Sequence, residues 1–165
     1  MVAIDRVSKF TYIEVHSQTS KTIAAQFLQN VIQVLPYKIH IILTDNGCPF
    51  TNRKQDVYAF PHLFDRVCEE NQIEHRLTKI NHPWTKGQVE RMNRTLKEAT
   101  VKRYNYQNHQ QLKEHLYNFL NAYNFAKRLK ALKGLTPYEY IIKIWHNEPK
   151  RFKANPFHHT LGLNI

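Results

Sequence analysis

At 165 residues, with 42% hydrophobic and 12% aromatic content, the chain is long enough for one domain with a buried core, and its composition is not that of a disordered segment. Its 24 Lys+Arg against 13 Asp+Glu give a formal charge of +11 and an isoelectric point near 9.7, which favours an anionic partner, with nucleic acid the usual one. Cys48 and Cys68 stand far apart and the ten His form no zinc-spaced cluster, so no zinc is expected and both thiols are expected to be free, as in a reducing cytoplasm. No apolar run is long enough to span a membrane, and MVAIDRVSKF lacks the apolar segment of a signal peptide, so the sequence predicts a cytoplasmic protein with no membrane partner.

The chain opens on a short apolar run, Val2 to Ile4. The turn-like Asp5-Arg6-Val7-Ser8 follows, then the β-branched and aromatic run Phe10 to Val15, which together predict a hairpin. Thr19 or Ser20 can cap a helix whose apolar residues are Ile23, Phe27, Val31 and Leu35, ending before Pro36. The near-continuous apolar run IHIIL, 39–43, predicts a strand buried on both faces. It ends at Thr44-Asp45-Asn46-Gly47. An Asp at the end of such a strand sits where open α/β sheets place their ligands, and it is equally a turn-former bonded to its own backbone.

Residues 52–61 read as an inserted polar loop, 62–71 as a short helix using Leu63 and Val67, and 73–77 as a short strand. The stretch His82 to Glu98 opens on a Pro and a Gly and continues as a helix. At about 100° per residue, Glu90, Asn93, Arg94 and Lys97 share one face, while Val89, Met92, Leu96 and Ala99 share another. An acid among bases on a helix with a separate apolar face suits an anionic ligand; a solvated face with ordinary i,i+4 ion pairs has the same pattern. A further helix is predicted from about Gln110 to Arg128, with its apolar stripe most simply a core contact. A basic loop with Lys127, Arg128, Lys130 and Lys133 precedes a last helix that opens on Thr136-Pro137. The catalytic-type unit is assigned to 1–145 and a loose basic tail to 146–165. The order of strands and helices predicts an α/β sheet with a helical C-terminal extension.

Taken together, T-D-N-G-x-x-F-T at Thr44 to Thr51 and P-x-x-x-G-x-V-E-x-x-N-R at Pro83 to Arg94 resemble the catalytic core of retroviral-type integrases. L-x-x-Y-N at Leu120 to Asn124 and G-L-T-P-Y-E at Gly134 to Glu139 resemble bacterial insertion-sequence transposases that carry this core. The resemblance implies a ribonuclease-H-like mixed sheet flanked by helices, and an Asp-Asp-Glu triad holding two Mg²⁺ (or Mn²⁺) ions. Phosphodiester hydrolysis and strand transfer need metals at the attacking and leaving oxygens. By this match Asp45 is the second carboxylate and Glu90 the third, both catalytic and metal-binding. Lys86, Arg91, Asn93, Arg94 and Lys97 match a face that contacts DNA, both transposon ends and target. Homo-oligomers are implied for the intact family.

Two departures carry expectations of their own. The 45 positions between Asp45 and Glu90 exceed the family's usual spacing by about the 52–61 insertion, which a surface loop tolerates. Residues 1–15 match the family's second and third strands, so Asp5 is expected to be a hairpin-turn residue rather than the first carboxylate. The chain would then lack the first strand and its Asp, leaving two unpaired strand edges, and would be inactive or nearly so. A non-catalytic DNA-binding or oligomerising remnant is the alternative. A basic RNA-binding domain would need aromatic residues on an open sheet, whereas the aromatics here follow core stripes.

Overall fold

The computed structural model describes residues 1–52, 60–78 and 87–157. Strands β1 (Val2–Ile4) and β2 (Thr11–Ile13) form an antiparallel hairpin with Ala3 opposite Tyr12. Helix α1 (Lys21–Val34) is capped by Ser20, whose side chain accepts from the Ile23 amide. Strand β3 (Ile41–Thr44) pairs in parallel with β4 (Glu74–Leu77), Ile42 facing His75 and Thr44 facing Leu77. Helix α2 (Leu63–Glu70) lies between them in sequence. The C-terminal half is helical: α3 (Gly87–Ala99), α4 (His109–Asn121) and α5 (Pro137–Asn147), the last closed by a capping box between Thr136 and Glu139. Part of the expected insertion, and His82 to Lys86 of the opening stretch, lie outside the described residues. The ends of the insertion are pinned, because Asn52 donates to the Phe60 carbonyl at 3.2 Å and Lys21 donates to Asn52 at 3.0 Å.

Among the described residues the two sheets share no ladder hydrogen bonds, and α1 packs between the hairpin and α2. Phe27, Val31 and Val34 pack with Phe10, Tyr12 and Ile141, while Ala24, Ala25 and Leu28 pack with Phe64, Val67, Cys68 and Ile73. One helix thus buries a stripe wider than the i, i+4, i+8 line of its sequence, because the hairpin lies on one side of it and α2 with Ile73 on the other. A third cluster joins Ile13 to Met92 and Leu96 of α3 and to Leu116, Leu120 and Tyr123.

β3 departs from the sequence expectation. Ile41 is 48% exposed and its neighbours are half-buried, so the strand is not covered on both faces. Among the described residues β3 pairs on one side only, with β4. Its other edge, together with β1, lines a 1260 Å³ groove floored by Phe27, Leu28, Val31 and Phe64. The tail also departs. Rather than hanging loose, Phe152 bridges to Tyr37 and packs edge-on against Tyr37 and Trp145, and Lys153 donates to the Ile32 carbonyl at 2.6 Å.

The predicted helix ending at Arg128 instead widens into a π-turn over Ala122–Ala126, with the Lys127 amide bonded to the Ala122 carbonyl at 2.7 Å. The turn places Asn124, 1% exposed, against the edge of β2. There the Thr11 amide donates to Asn124 Oδ1 at 3.0 Å, and Asn124 Nδ2 donates to the Thr11 carbonyl at 2.8 Å. One side chain thus does for β2 what a neighbouring strand would do. Asn124→Ala leaves both backbone groups buried without partners and is expected to cost about 1–3 kcal/mol in urea unfolding.

The thiols differ sharply. Cys48 is exposed, while Cys68 is buried, and burial, then Asp65 and Glu69, push its thiol up to about 12. A raised thiol keeps its proton in the folded state and loses it in the unfolded one, so its contribution to stability is whole below the ordinary value of 9.0 and is lost as pH rises towards 12. At neutral pH a disulfide reagent should titrate Cys48 at once and Cys68 only on unfolding; equal rates would contradict the packing.

Candidate functional site

The end of β3 accounts for its motif residue by residue. Asp45 follows the last strand residue, is exposed, and accepts the Gly47 amide on Oδ1 at 2.8 Å. A Cβ on Gly47 would lie 2.7 Å from Asp45 Oδ1, so a larger residue there would displace that carboxylate. Asn46 donates to the Thr78 carbonyl at 2.8 Å, and the Thr78 amide donates to the Thr44 carbonyl at 2.9 Å, which ties the exit of β3 to that of β4. The Phe50 amide returns to the Gly47 carbonyl at 2.9 Å, and its ring packs edge-on against Phe64, 5.3 Å between centroids. Thr-Asp-Asn-Gly-x-x-Phe is therefore a turn anchored at both ends that sets one carboxylate beside the groove.

Helix α3 supplies the other wall. Glu90 lies in its first turn, where a carboxylate also offsets the positive end of the helix dipole. The helix divides as its spacing predicts: Met92 and Leu96 are buried, while Glu90, Arg91, Asn93, Arg94 and Lys97 are exposed. Glu90 and Asn93 line the same groove as Asp45, with Thr44, Arg76, Thr78, Gln88 and Val89. Arg91, Arg94 and Lys97 lie on α3 outside that lining, and Lys86 lies outside the described residues. Two carboxylates 45 residues apart in sequence thus face one cavity.

Asp5 lines this groove as well, but as a turn pin. Its Oδ1 accepts the Val7 amide at 3.0 Å, and Oδ2 accepts the Ser8 amide at 3.2 Å, the Ser8 hydroxyl at 2.5 Å and the Tyr37 hydroxyl at 2.9 Å. Burial first, then the Asp5 charge, hold the Tyr37 phenol well above its ordinary range.

Among the described residues no cluster of three or more His, Cys, Asp and Glu could hold a metal. The donor set on the groove is two carboxylates, together with the amide oxygen of Gln88, which is buried and has no hydrogen-bond partner. Hard oxygen donors, few in number and open to water, suit Mg²⁺ or Mn²⁺, which keep several waters and take one or two carboxylates. Sequence reasoning did not reach Gln88, nor Asp65 and His75 beneath Thr44. His75 Nδ1 lies 2.5 Å from Asp65 and Nε2 lies 2.7 Å from the Thr44 hydroxyl. The only sequence signal was a polar residue at an alternating position of a short strand, where its half-buried side chain must find a partner.

Residues 1–83 match the Integrase core domain family, and residues 71–137 match a second family of the same description. The fold is similar to the catalytic core domain of BIV integrase, with TM-score 0.66 and 22% identity over 90% of this chain and 88% of that one. The HTLV-2 integrase catalytic core domain, solved with magnesium in a dimeric form, gives TM-score 0.64 and 20% identity over 84% and 81%. A chain of a simian T-cell lymphotropic virus intasome gives 0.66 and 22%, over 84% of this chain and 46% of that one. An uncharacterized protein of Caenorhabditis elegans is 27% identical over 141 residues, which is 84% of this chain and only 10% of the worm protein. The ribonuclease-H-like arrangement of a retroviral integrase core is thus present. Because the first match alone spans half of the sequence and carries the Asp45 turn, the chain belongs to the Integrase core domain family.

Proposed function

We propose that this chain is the DNA-processing core of an integrase-type polynucleotidyl transferase, with Asp45 and Glu90 as two of its metal-binding carboxylates. The observation that carries the reading is the convergence of those two acids, from the exit of β3 and the first turn of α3, on one groove. A bound Mg²⁺ pair would supply an activated attacking oxygen and a stabilised leaving oxygen for in-line displacement at phosphorus. The chain's own part is to hold and to orient. Asp45 is fixed by the Gly47 amide, Glu90 is set by the helix, and Asn93, Arg94 and Lys97 give a phosphate-binding row continuing from Glu90. Lys86 and Arg91 extend that basic track. The transposase-like C-terminal motifs favour transposon ends and target DNA as substrates and an insertion-sequence origin, and we take the active form to be a homo-oligomer.

A second reading rests on Asp5. Its carboxylate accepts from four donors at the hairpin, which supports taking it as a turn residue rather than as the first of the three acids that the resemblance implies. Tested alone, this polypeptide is expected to bind DNA and to show little or no Mg²⁺-dependent strand transfer. Strand transfer at a level abolished by Asp45→Asn would overturn that expectation and place the missing acid within these residues.

Metal binding can be read without turnover. In Mn²⁺ titrations, Asp45→Asn and Glu90→Gln should each weaken binding by more than the roughly 10–100-fold that follows loss of an outer-sphere partner. Gly47→Ala should act in the same direction by displacing the Asp45 carboxylate, with a stability loss of about 1 kcal/mol or less, as expected at an exposed turn. Retained Mn²⁺ affinity in Asp45→Asn would remove Asp45 from the site.

The DNA track has its own signature. Removing a cation that neutralises one phosphate of duplex DNA lowers the slope of log affinity against log salt by about 0.9, so Arg94→Gln with Lys97→Gln should lower it by roughly 2. Glu90→Gln should leave that slope unchanged. An unaltered slope in the double variant would move the DNA path off α3.

A further inference from the structure

Beneath Asp45, three elements meet through a chain of polar side chains that the proposed metal site does not use. Asp65 of α2 lies 2.5 Å from His75 Nδ1 on β4, and His75 Nε2 lies 2.7 Å from the hydroxyl of Thr44 at the end of β3. That hydroxyl is also 3.1 Å from the backbone carbonyl of Asp45. The His75 side chain is 8% exposed and is held against the Phe64 ring, 4.9 Å between centroids.

The hydrogen count of this chain is limited. A carboxylate accepts only, so Nδ1 carries a proton and donates to Asp65. When the ring is neutral, Nε2 is an acceptor, and the single hydroxyl proton of Thr44 points to it. When the ring is protonated, Nε2 donates to Thr44 Oγ1 and the hydroxyl proton is released to the Asp45 carbonyl. One proton on His75 therefore decides whether Thr44 bonds the imidazole or the backbone of the residue that presents the carboxylate. From α2 the ring faces Asp65, and from β3 it faces Thr44 with Asp45 beyond. Its β4 neighbours Glu74 and Arg76 alternate to the other face of the strand and pair with each other through two bonds of 2.7 Å.

We propose that His75 is a positioning residue for Asp45, acting through Thr44, so that one proton on the imidazole changes how the carboxylate turn is held. The consequence for metal binding rests on the reading of Asp45 as a ligand; the coupling itself does not.

Two measurements separate these. In metal-free protein, the ¹³C shift of the Asp45 carbonyl should follow the protonation of the His75 ring across a pH titration by NMR. Thr44→Val should abolish that following and Thr44→Ser should keep it. A carbonyl that does not move with the ring, or that moves equally in Thr44→Val, overturns the proposal. If Thr44→Val does not fold, His75→Gln makes the same comparison, and an Asp45 carbonyl that still shows the wild-type single-proton step in it is equally fatal. In Mn²⁺ titrations, Thr44→Val and His75→Gln should weaken binding about tenfold, with Thr44→Ser near wild type. A coupled carbonyl combined with Mn²⁺ affinity indifferent to Asp45→Asn would uphold the relay and overturn the metal reading.

Discussion

The fold depends on α1 lying between the hairpin on one side and α2, which leads into β4, on the other. A two-stranded sheet by itself is marginal in water, and here there are two. The hairpin is stable because Phe10 and Tyr12 bury against Phe27 and Val31, and the β3–β4 pair because Phe64 and Ile73 close over Ala24 and Leu28. At about 25 cal/mol per Å² of apolar surface, this burial outweighs the few ladder bonds available to strands of three or four residues. The small Ala24 and Ala25 on one side and the large Phe27 on the other set how closely each sheet approaches the helix.

The groove follows from that arrangement. Among the described residues β1 and β3 each have a strand partner on one edge only, and both line the groove. Ile41, an apolar residue of β3, is left 48% exposed beside it. The same geometry concentrates the chemistry. Asp45, at the exit of β3, and Glu90, on α3 held through Met92 and Leu96 against Ile13, both fall in the lining of that groove. The hydrophobic contacts of one helix and the hydrophilic face of the same helix are thus two ends of a single constraint.

Most of this was legible because period and punctuation carry it. The two faces of α3, a cap at Thr19 or Ser20, the helix start at Thr136-Pro137 and the turn after Thr44 all follow from local rules, and the structure shows each of them, with Ser20 as the cap. What was not legible involves partners distant in sequence. The burial of IHIIL depends on how many neighbours β3 has, which its own residues do not encode. The π-turn at Ala122–Ala126 cannot be read from α4, since its register answers to Thr11, more than a hundred residues earlier. The tail reads as loose because its charges dominate, yet Phe152, one aromatic among them, ties it to Tyr37 and Trp145. Gln88 and His75 escaped for the same reason: their importance lies in what surrounds them.

Asp5 and Asp45 show how far local pattern goes before surroundings decide. Both follow a short strand, both open a turn, and both accept an amide two residues ahead. On motif alone either could be a ligand. Asp5, however, accepts the Tyr37 hydroxyl at 2.9 Å and the Ser8 hydroxyl at 2.5 Å, and releasing it for a metal would take an acceptor from a buried phenol and from the hairpin amides. Asp45 is exposed, its turn is closed by Gly47 without a Cβ to crowd it, and the backbone behind it is secured by Asn46, Thr78 and Thr44. A carboxylate that also accepts two side-chain hydroxyls, as Asp5 does, is used by the fold; one exposed in the lining of a groove, as Asp45 is, can face a ligand. That difference, rather than the identity of the residue, is the physical ground for proposing Asp45 for the metal and Asp5 for the hairpin.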